Sequence, residues 1–141
     1  MKIAIAQLNY HIGNFAQNTS KIIEHIEKSK AEGAELVVFT ELSVTGYYPH
    51  DLLERKEFIE QSYKAAGQIA THCQGIAAVV GAPSINPEPR GKKLFNSAFF
   101  MYDGAVRHVI NKSLLPTYDI FDEYRYFEPN KHFSVFDFKG K

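Results

Sequence analysis

The residues that could do chemistry fall in three short stretches. The first is Phe39-Thr40-Glu41-Leu42-Ser43-Val44-Thr45-Gly46-Tyr47-Tyr48-Pro49, where only Thr40 separates Glu41 from the apolar run Leu36-Val37-Val38-Phe39. Such a run reads as a buried strand, and ligands of α/β sheets collect just beyond the carboxyl ends of strands. A carboxylate there, walled by Tyr47 and Tyr48, is expected to have a raised pKa and could serve as a general base. The plain alternative is a turn in which Glu41 accepts backbone hydrogen bonds, and position alone does not separate the two. The second stretch is Asn111-Lys112-Ser113-Leu114-Leu115-Pro116. A lysine at a strand end is ordinarily a solvated cation, so Lys112 by itself carries no argument. The third is Tyr118-Asp119-Ile120-Phe121-Asp122-Glu123-Tyr124-Arg125-Tyr126-Phe127-Glu128-Pro129, which mixes aromatics with acids and has little periodicity. It reads as a structured loop around a pocket, with an interaction surface as the alternative.

The nucleophile and metal-ligand inventory is thin. Cys73 is the one cysteine, which excludes an intrachain disulfide and a multi-cysteine metal site. Next to Gln74 and Gly75 at a predicted helix end, it reads as a structural thiol. The six histidines are scattered without a close pair at ligand spacing, so no metal is expected.

The elements that must position these residues follow from hydrophobic periodicity. Ile3 to Leu8 reads as a buried strand. A helix is predicted from Phe15 to Glu32, with Ile22, Ile23 and Ile26 inward and Gly33 just past its end. Leu36 to Phe39 is the second strand, and strand–helix–strand order argues a parallel pair. A second helix is predicted from Leu53 to His72, burying Phe58, Ile59, Tyr63, Ala66, Ile69 and Ala70. Ile76 to Ala82 reads as a third strand and Ser84 to Lys93 as a loop broken by Pro87, Pro89 and Gly91. Leu94 to Tyr102 and Ala105 to Asn111 form a hairpin about Asp103-Gly104, a type I′ signal. The sheet is therefore expected to be mixed. Phe133 to Phe138 reads as a further strand, with Lys139-Gly140-Lys141 as the turn toward a hairpin partner. A strand without that partner is the expectation for a domain cut short.

Composition bounds the function. The 141 residues suffice for one domain, and 45% hydrophobic with 23% charged residues is a globular balance. Lys plus Arg (16) equals Asp plus Glu (16), which gives no global reason to expect nucleic acid or an anionic membrane as partner. Arg90, Lys92 and Lys93 around Gly91 read as a solvated loop. They lack the upstream glycine and the hydroxyl residue of a phosphate-binding P-loop, so no nucleotide is expected to bind. No apolar run is long enough to span a bilayer and no secretory signal is evident, so a cytoplasmic setting is expected.

Taken together, the three stretches resemble the nitrilase, or carbon–nitrogen hydrolase, superfamily, whose mark is a Glu–Lys–Cys triad in that chain order. Phe-Thr-Glu-Leu at Glu41 matches its glutamate motif and Lys-Ser-Leu-Leu-Pro at Lys112 its lysine motif. Lys-Ile-Ala-Ile-Ala-Gln-Leu-Asn resembles its first strand. Two longer runs, Glu-Leu-Ser-Val-Thr-Gly-Tyr-Tyr-Pro-His-Asp-Leu-Leu and Leu-Leu-Pro-Thr-Tyr-Asp-Ile-Phe-Asp-Glu-Tyr-Arg-Tyr-Phe, are similar to the glutaminase domain of bacterial glutamine-dependent NAD synthetases.

The resemblance implies an α/β fold, part of a four-layer α-β-β-α sandwich with a mixed sheet. It implies glutamine as substrate, with Glu41 as general base, Lys112 stabilising the oxyanion, Tyr118 contacting glutamine and Glu123 as a second acid orienting Lys112. Asp119 and Asp122 compete with Glu123 for that last role. The family's nucleophilic cysteine lies downstream of everything here, and Cys73, which precedes Lys112, does not match it. Residues 1–141 are thus expected to be the N-terminal part of one such domain, truncated before the nucleophile and inactive alone. Asn130 stands where the family usually has glycine. No cofactor is implied for this domain. ATP and magnesium belong to a synthetase domain of the same polypeptide, and a homo-oligomer is implied for the complete protein. Two other readings stay open: another amidase or nitrile hydrolase of the superfamily, or a non-catalytic half-domain that binds a partner.

Overall fold

The computed structural model describes all residues, 1–141. Five strands form one sheet in the order β1 (Ile3–Ala6), β2 (Leu36–Phe39), β3 (Ala77–Ile85), β4 (Leu94–Tyr102) and β5 (Ala105–Asn111). β1, β2 and β3 run parallel, while β3, β4 and β5 are antiparallel, so the expected mixed sheet is borne out. Helix α1 (Phe15–Ala31) crosses from β1 to β2, and α2 (Lys56–Thr71) precedes β3. The Asn14 side chain accepts the Gln17 N–H and caps α1, satisfying one of the donors a helix start leaves free. Asp103 (φ 55°) and Gly104 (φ 75°) make the tight turn between β4 and β5 with both residues left-handed, as a type I′ turn requires.

Both helices lie on one face of the sheet. Ile22 and Ile26 of α1 and Ala66, Ile69 and Ala70 of α2 are buried against Val37, Ala78, Val80 and Met101. Each fully buried isoleucine contributes roughly 1.5–3 kcal/mol relative to exposure. The alternate strand residues point to the other face, which the helices do not cover, so Ile3 and Ile5 of β1 are 53% and 82% exposed. Within these residues the fold is one helix layer on one sheet, and an apolar free face is consistent with the inner layer of a four-layer sandwich. No helix is long and apolar enough to cross a membrane.

Several expectations are corrected. The first strand stops at Ala6, and β3 runs on past Ala82 because Ser84 and Ile85 pair with Phe95 and Leu94. Tyr63 does not face the core. It is half-exposed, and its hydroxyl accepts the Ile85 N–H at 2.8 Å. Phe133 to Phe138 is not a strand. Two of its rings lie instead on the free sheet face, while Phe133 stays exposed: Phe136 stacks on His108 with centroids 3.9 Å apart, and Phe138 meets Phe100 and Tyr102. Burying those rings outweighs an unpartnered ladder. Lys139 (φ 54°) and Gly140 (φ 72°) do form the expected tight turn.

Candidate active site

Glu41 stands just past the carboxyl end of β2, at the start of a loop that β3 holds closely. A side chain at Gly81 would put its Cβ 2.4 Å from the Leu42 nitrogen and 2.7 Å from the Thr40 oxygen, so only glycine lets the two backbones meet. Val44 N–H donates to the Gly81 carbonyl at 3.1 Å. The Gly81 N–H donates to Ser43 Oγ at 3.3 Å. From the other side the fully buried Asn18 of α1 donates to the His11 and Val44 carbonyls at 2.8 and 3.1 Å. Leu42 takes a left-handed backbone (φ 47°) that a branched residue adopts at a cost of about 1–3 kcal/mol, and its complete burial offsets this.

Lys112 extends the β5 ladder by one bond, its N–H donating to the Asn96 carbonyl at 2.8 Å. Its Nζ is 2.7 Å from Glu41 Oε1 and 3.1 and 2.9 Å from the two oxygens of Glu123. Glu123 opens a short 3-10 turn (Glu123–Arg125) and is fully buried. Glu123 N–H donates to Pro116 O in the loop after β5, and Glu128 N–H donates to Leu94 O of β4, which pins the segment to the sheet. The Tyr47 hydroxyl donates to Glu123 Oε1 at 3.1 Å. Asn96 Nδ2 lies 2.5 Å from Glu41 Oε1 and 3.4 Å from Glu123 Oε2. Beside this cluster is a cavity of about 290 Å³ on the free face, lined among others by Thr40, Val79, Ala98 and Ile110.

One lysine therefore faces two glutamates, and their environments pull them apart. Burial pushes Glu41 up, but the hydrogen bond and charge of Lys112 and the Asn96 amide outweigh it and hold the carboxyl below the usual range. This corrects the expectation of a raised Glu41, because the cation is in direct contact. Burial pushes Glu123 up, Lys112 opposes it, and the charge of Glu41 adds to the rise, so Glu123 lies above the usual range. Burial lowers Lys112, yet its two carboxylate partners leave it raised and firmly charged.

The structure brings Glu41, Lys112 and Glu123 together. Asp119 and Asp122 stay exposed, so only Glu123 among the three acids reaches the lysine. Tyr118 is 69% exposed, edge-on to Phe121, and joins none of the cluster's hydrogen bonds. Cys73 lies at the opposite end of the sheet, where its carbonyl accepts the Gly104 N–H, and burial pushes its thiol up to about 12. Asn96 was not singled out from the sequence. Its signal was a polar Asn-Ser pair inside the otherwise apolar Leu94–Tyr102 run, where a buried amide needs partners.

Comparison with known proteins places these features in a family. The family model described as carbon-nitrogen hydrolase matches residues 2–141. The glutamine-dependent NAD(+) synthetase of Xylella fastidiosa (strain Temecula1) is 42% identical over 99% of this chain and 26% of its own length. That of Acinetobacter baylyi is 40% identical over 99% of this chain and 25% of its own length. The chain thus spans about a quarter of the length of the curated relatives it matches. Among solved structures, the glutamine-dependent NAD+ synthetase from Acinetobacter baumannii in complex with ADP superposes with a TM-score of 0.89 at 40% identity, covering 98% of this chain and 26% of that one. An amidase from Nesterenkonia sp. shares the fold, with a TM-score of 0.76 at 23% identity over 94% of this chain and 49% of its own.

Proposed function

The chain belongs to the carbon–nitrogen hydrolase family, and on that premise we propose that it forms part of a glutamine amidohydrolase supplying ammonia to an NAD synthetase region of the same polypeptide. The observation that carries the reading is Lys112 Nζ held between Glu41 and Glu123 at the mouth of a cavity. The synthetase relatives at 40–42% identity support the choice of glutamine over other amides.

On this reading the nucleophile is a cysteine thiol outside these residues, since Cys73 is buried, far from the cluster and held protonated. The thiol sulfur attacks the side-chain amide carbon of glutamine while Glu41 takes its proton. Lys112 Nζ holds the oxyanion that forms on the amide oxygen. The C–N bond then breaks, and Glu41 hands the proton to the departing ammonia. Water, deprotonated by Glu41, cleaves the thioester to glutamate and restores the thiol. A Glu41 kept ionised by Lys112 is ready to accept the first proton. Its basicity rises when the lysine turns one N–H toward the oxyanion. Glu123 orients Lys112, and Tyr118 contacts glutamine. ATP and magnesium belong, on this reading, to the synthetase region, and no step here passes through them. A cytoplasmic homo-oligomer is the setting proposed for the complete protein.

The test is glutamate release from glutamine by the gene product extended past Lys141, alongside asparagine, a simple amide and a nitrile. Turnover of glutamine alone, lost in Glu41→Gln and Lys112→Met, is expected. Preference for the simple amide or the nitrile overturns the substrate. Glutamine turnover by residues 1–141 alone overturns the external thiol.

A further inference from the structure

Asn96 stands at the centre of the charged cluster without being charged. It lies on β4, 3% exposed, across from Pro83 of β3. Its backbone carbonyl accepts the Lys112 N–H at 2.8 Å. Its side-chain nitrogen reaches Glu41 Oε1 at 2.5 Å and Glu123 Oε2 at 3.4 Å. Ionised carboxylates only accept hydrogen bonds, so an amide flanked by two of them must turn its NH2 toward both. No other residue is hydrogen-bonded to all three members of the cluster, the Glu123 link being the longest. Lys112 has rotatable methylenes and Glu41 stands at the start of a loop, but Asn96 lies within β4, in register with Pro83 of β3 and bonded through its carbonyl to the Lys112 N–H.

We propose that Asn96 is the positioning residue of this site, giving one N–H to each glutamate while its carbonyl holds the backbone of Lys112, so that the base and the strand carrying the cation stay in place when the lysine side chain turns from Glu41 to an oxyanion. This deepens the reading of the site as an acid–lysine catalytic cluster and rests on it. Asparagine suits the task for three reasons. Its amide donates twice without adding charge, so it does not compete with Lys112 for the oxyanion. Its short side chain has little freedom, so the carboxylates are held in one place. It also keeps an N–H on Glu41 when Lys112 is withdrawn, which limits how far the base swings.

The test needs no substrate, so its failure is separate from failure of the glutamine reading. Glutamate carboxyl carbons are labelled with 13C and titrated by NMR in residues 1–141 and in the variants Asn96→Leu and Asn96→Asp. The charged and titratable groups facing Glu41 and Glu123 are Lys112, Tyr47, Tyr48 and each other. All of these are unchanged in the variants. Removing the donor in Asn96→Leu is expected to raise the lower midpoint of the pair by about one pH unit. Asn96→Asp, which adds a third carboxylate, is expected to raise it further. A purely structural asparagine would lower the melting temperature and leave the midpoints where they are. Midpoints within about 0.2 pH unit of the parent in either folded variant overturn the assignment. An unmoved or lowered midpoint in Asn96→Asp does so even where Asn96→Leu fails to fold.

Discussion

Replacing Lys112 by methionine removes the cation and keeps the packing of its stem. Glu123 is then left completely buried beside Glu41, which has lost the same partner. Breaking a buried ion pair by deleting one member costs about 3–5 kcal/mol. Two features reduce this. The lysine side chain is 30% exposed, and Tyr47 and Asn96 still donate to Glu123. A cost of about 2 kcal/mol at pH 8 remains, equivalent to a melting-temperature drop of roughly 6 °C for a chain of this size. The sign of the pH dependence follows from the direction of the shift. Glu123 in the folded state titrates above its ordinary value, and loss of Lys112 lifts it further. A carboxyl whose folded pKa is raised holds its stability below the unfolded pKa and loses it as pH rises through the folded one. The penalty of Lys112→Met is therefore small near pH 4 and grows toward pH 8. Urea denaturation followed by circular dichroism at both pH values measures it. The double variant Lys112→Met, Glu123→Gln removes the buried charge as well and should recover most of the loss at pH 8. An equal cost at both pH values, or no recovery in the double variant, would refute the claim that a buried Glu123 charge depends on Lys112.

Other outcomes follow from single contacts. Gly81→Ala drives a Cβ into the Leu42 backbone, and a loss of about 3 kcal/mol in urea unfolding is expected because no flexible side chain can yield there. Cys73 is fully buried with its thiol pushed up to about 12, so a disulfide reagent should react with it only as fast as the chain unfolds, and rapid native-state labelling would contradict the placement. Phe136→Ala removes the ring stacked on His108 and tilted against Phe100, and a loss of about 1 kcal/mol is expected by denaturant titration, with the shifts of His108 and Phe100 the first to move in an NMR spectrum.

Much of the fold was legible because it rests on local patterns. Leu36 to Phe39 is too short and too apolar to be anything but a buried strand, and Asp103-Gly104 admits few turns other than the one found. Glu41 and Lys112 could be picked out as candidate site residues only because the motifs around them resemble a family. Composition and periodicity left Glu41 as consistent with a turn and Lys112 as a surface cation. The paired position of Glu123 over Asp119 and Asp122 was not legible either. Three acids within five residues differ little in sequence, and only the 3-10 turn and the Pro116 carbonyl decide which one points inward.

The direction of the Glu41 shift was misread for the same reason. Position at a strand end reports burial, which raises a carboxyl, but says nothing of a lysine that arrives 71 residues later in the chain. The predicted strand at Phe133 to Phe138 failed likewise: local composition shows that a segment can pair, and the open sheet face gave Phe136 and Phe138 a better surface. Local sequence thus determined which elements form and where they turn. Tertiary structure alone decided which charges meet, because Coulomb energy and desolvation depend on distance through space, and residues 41, 96, 112 and 123 become neighbours only when β2, β4, β5 and the aromatic loop share one end of a sheet.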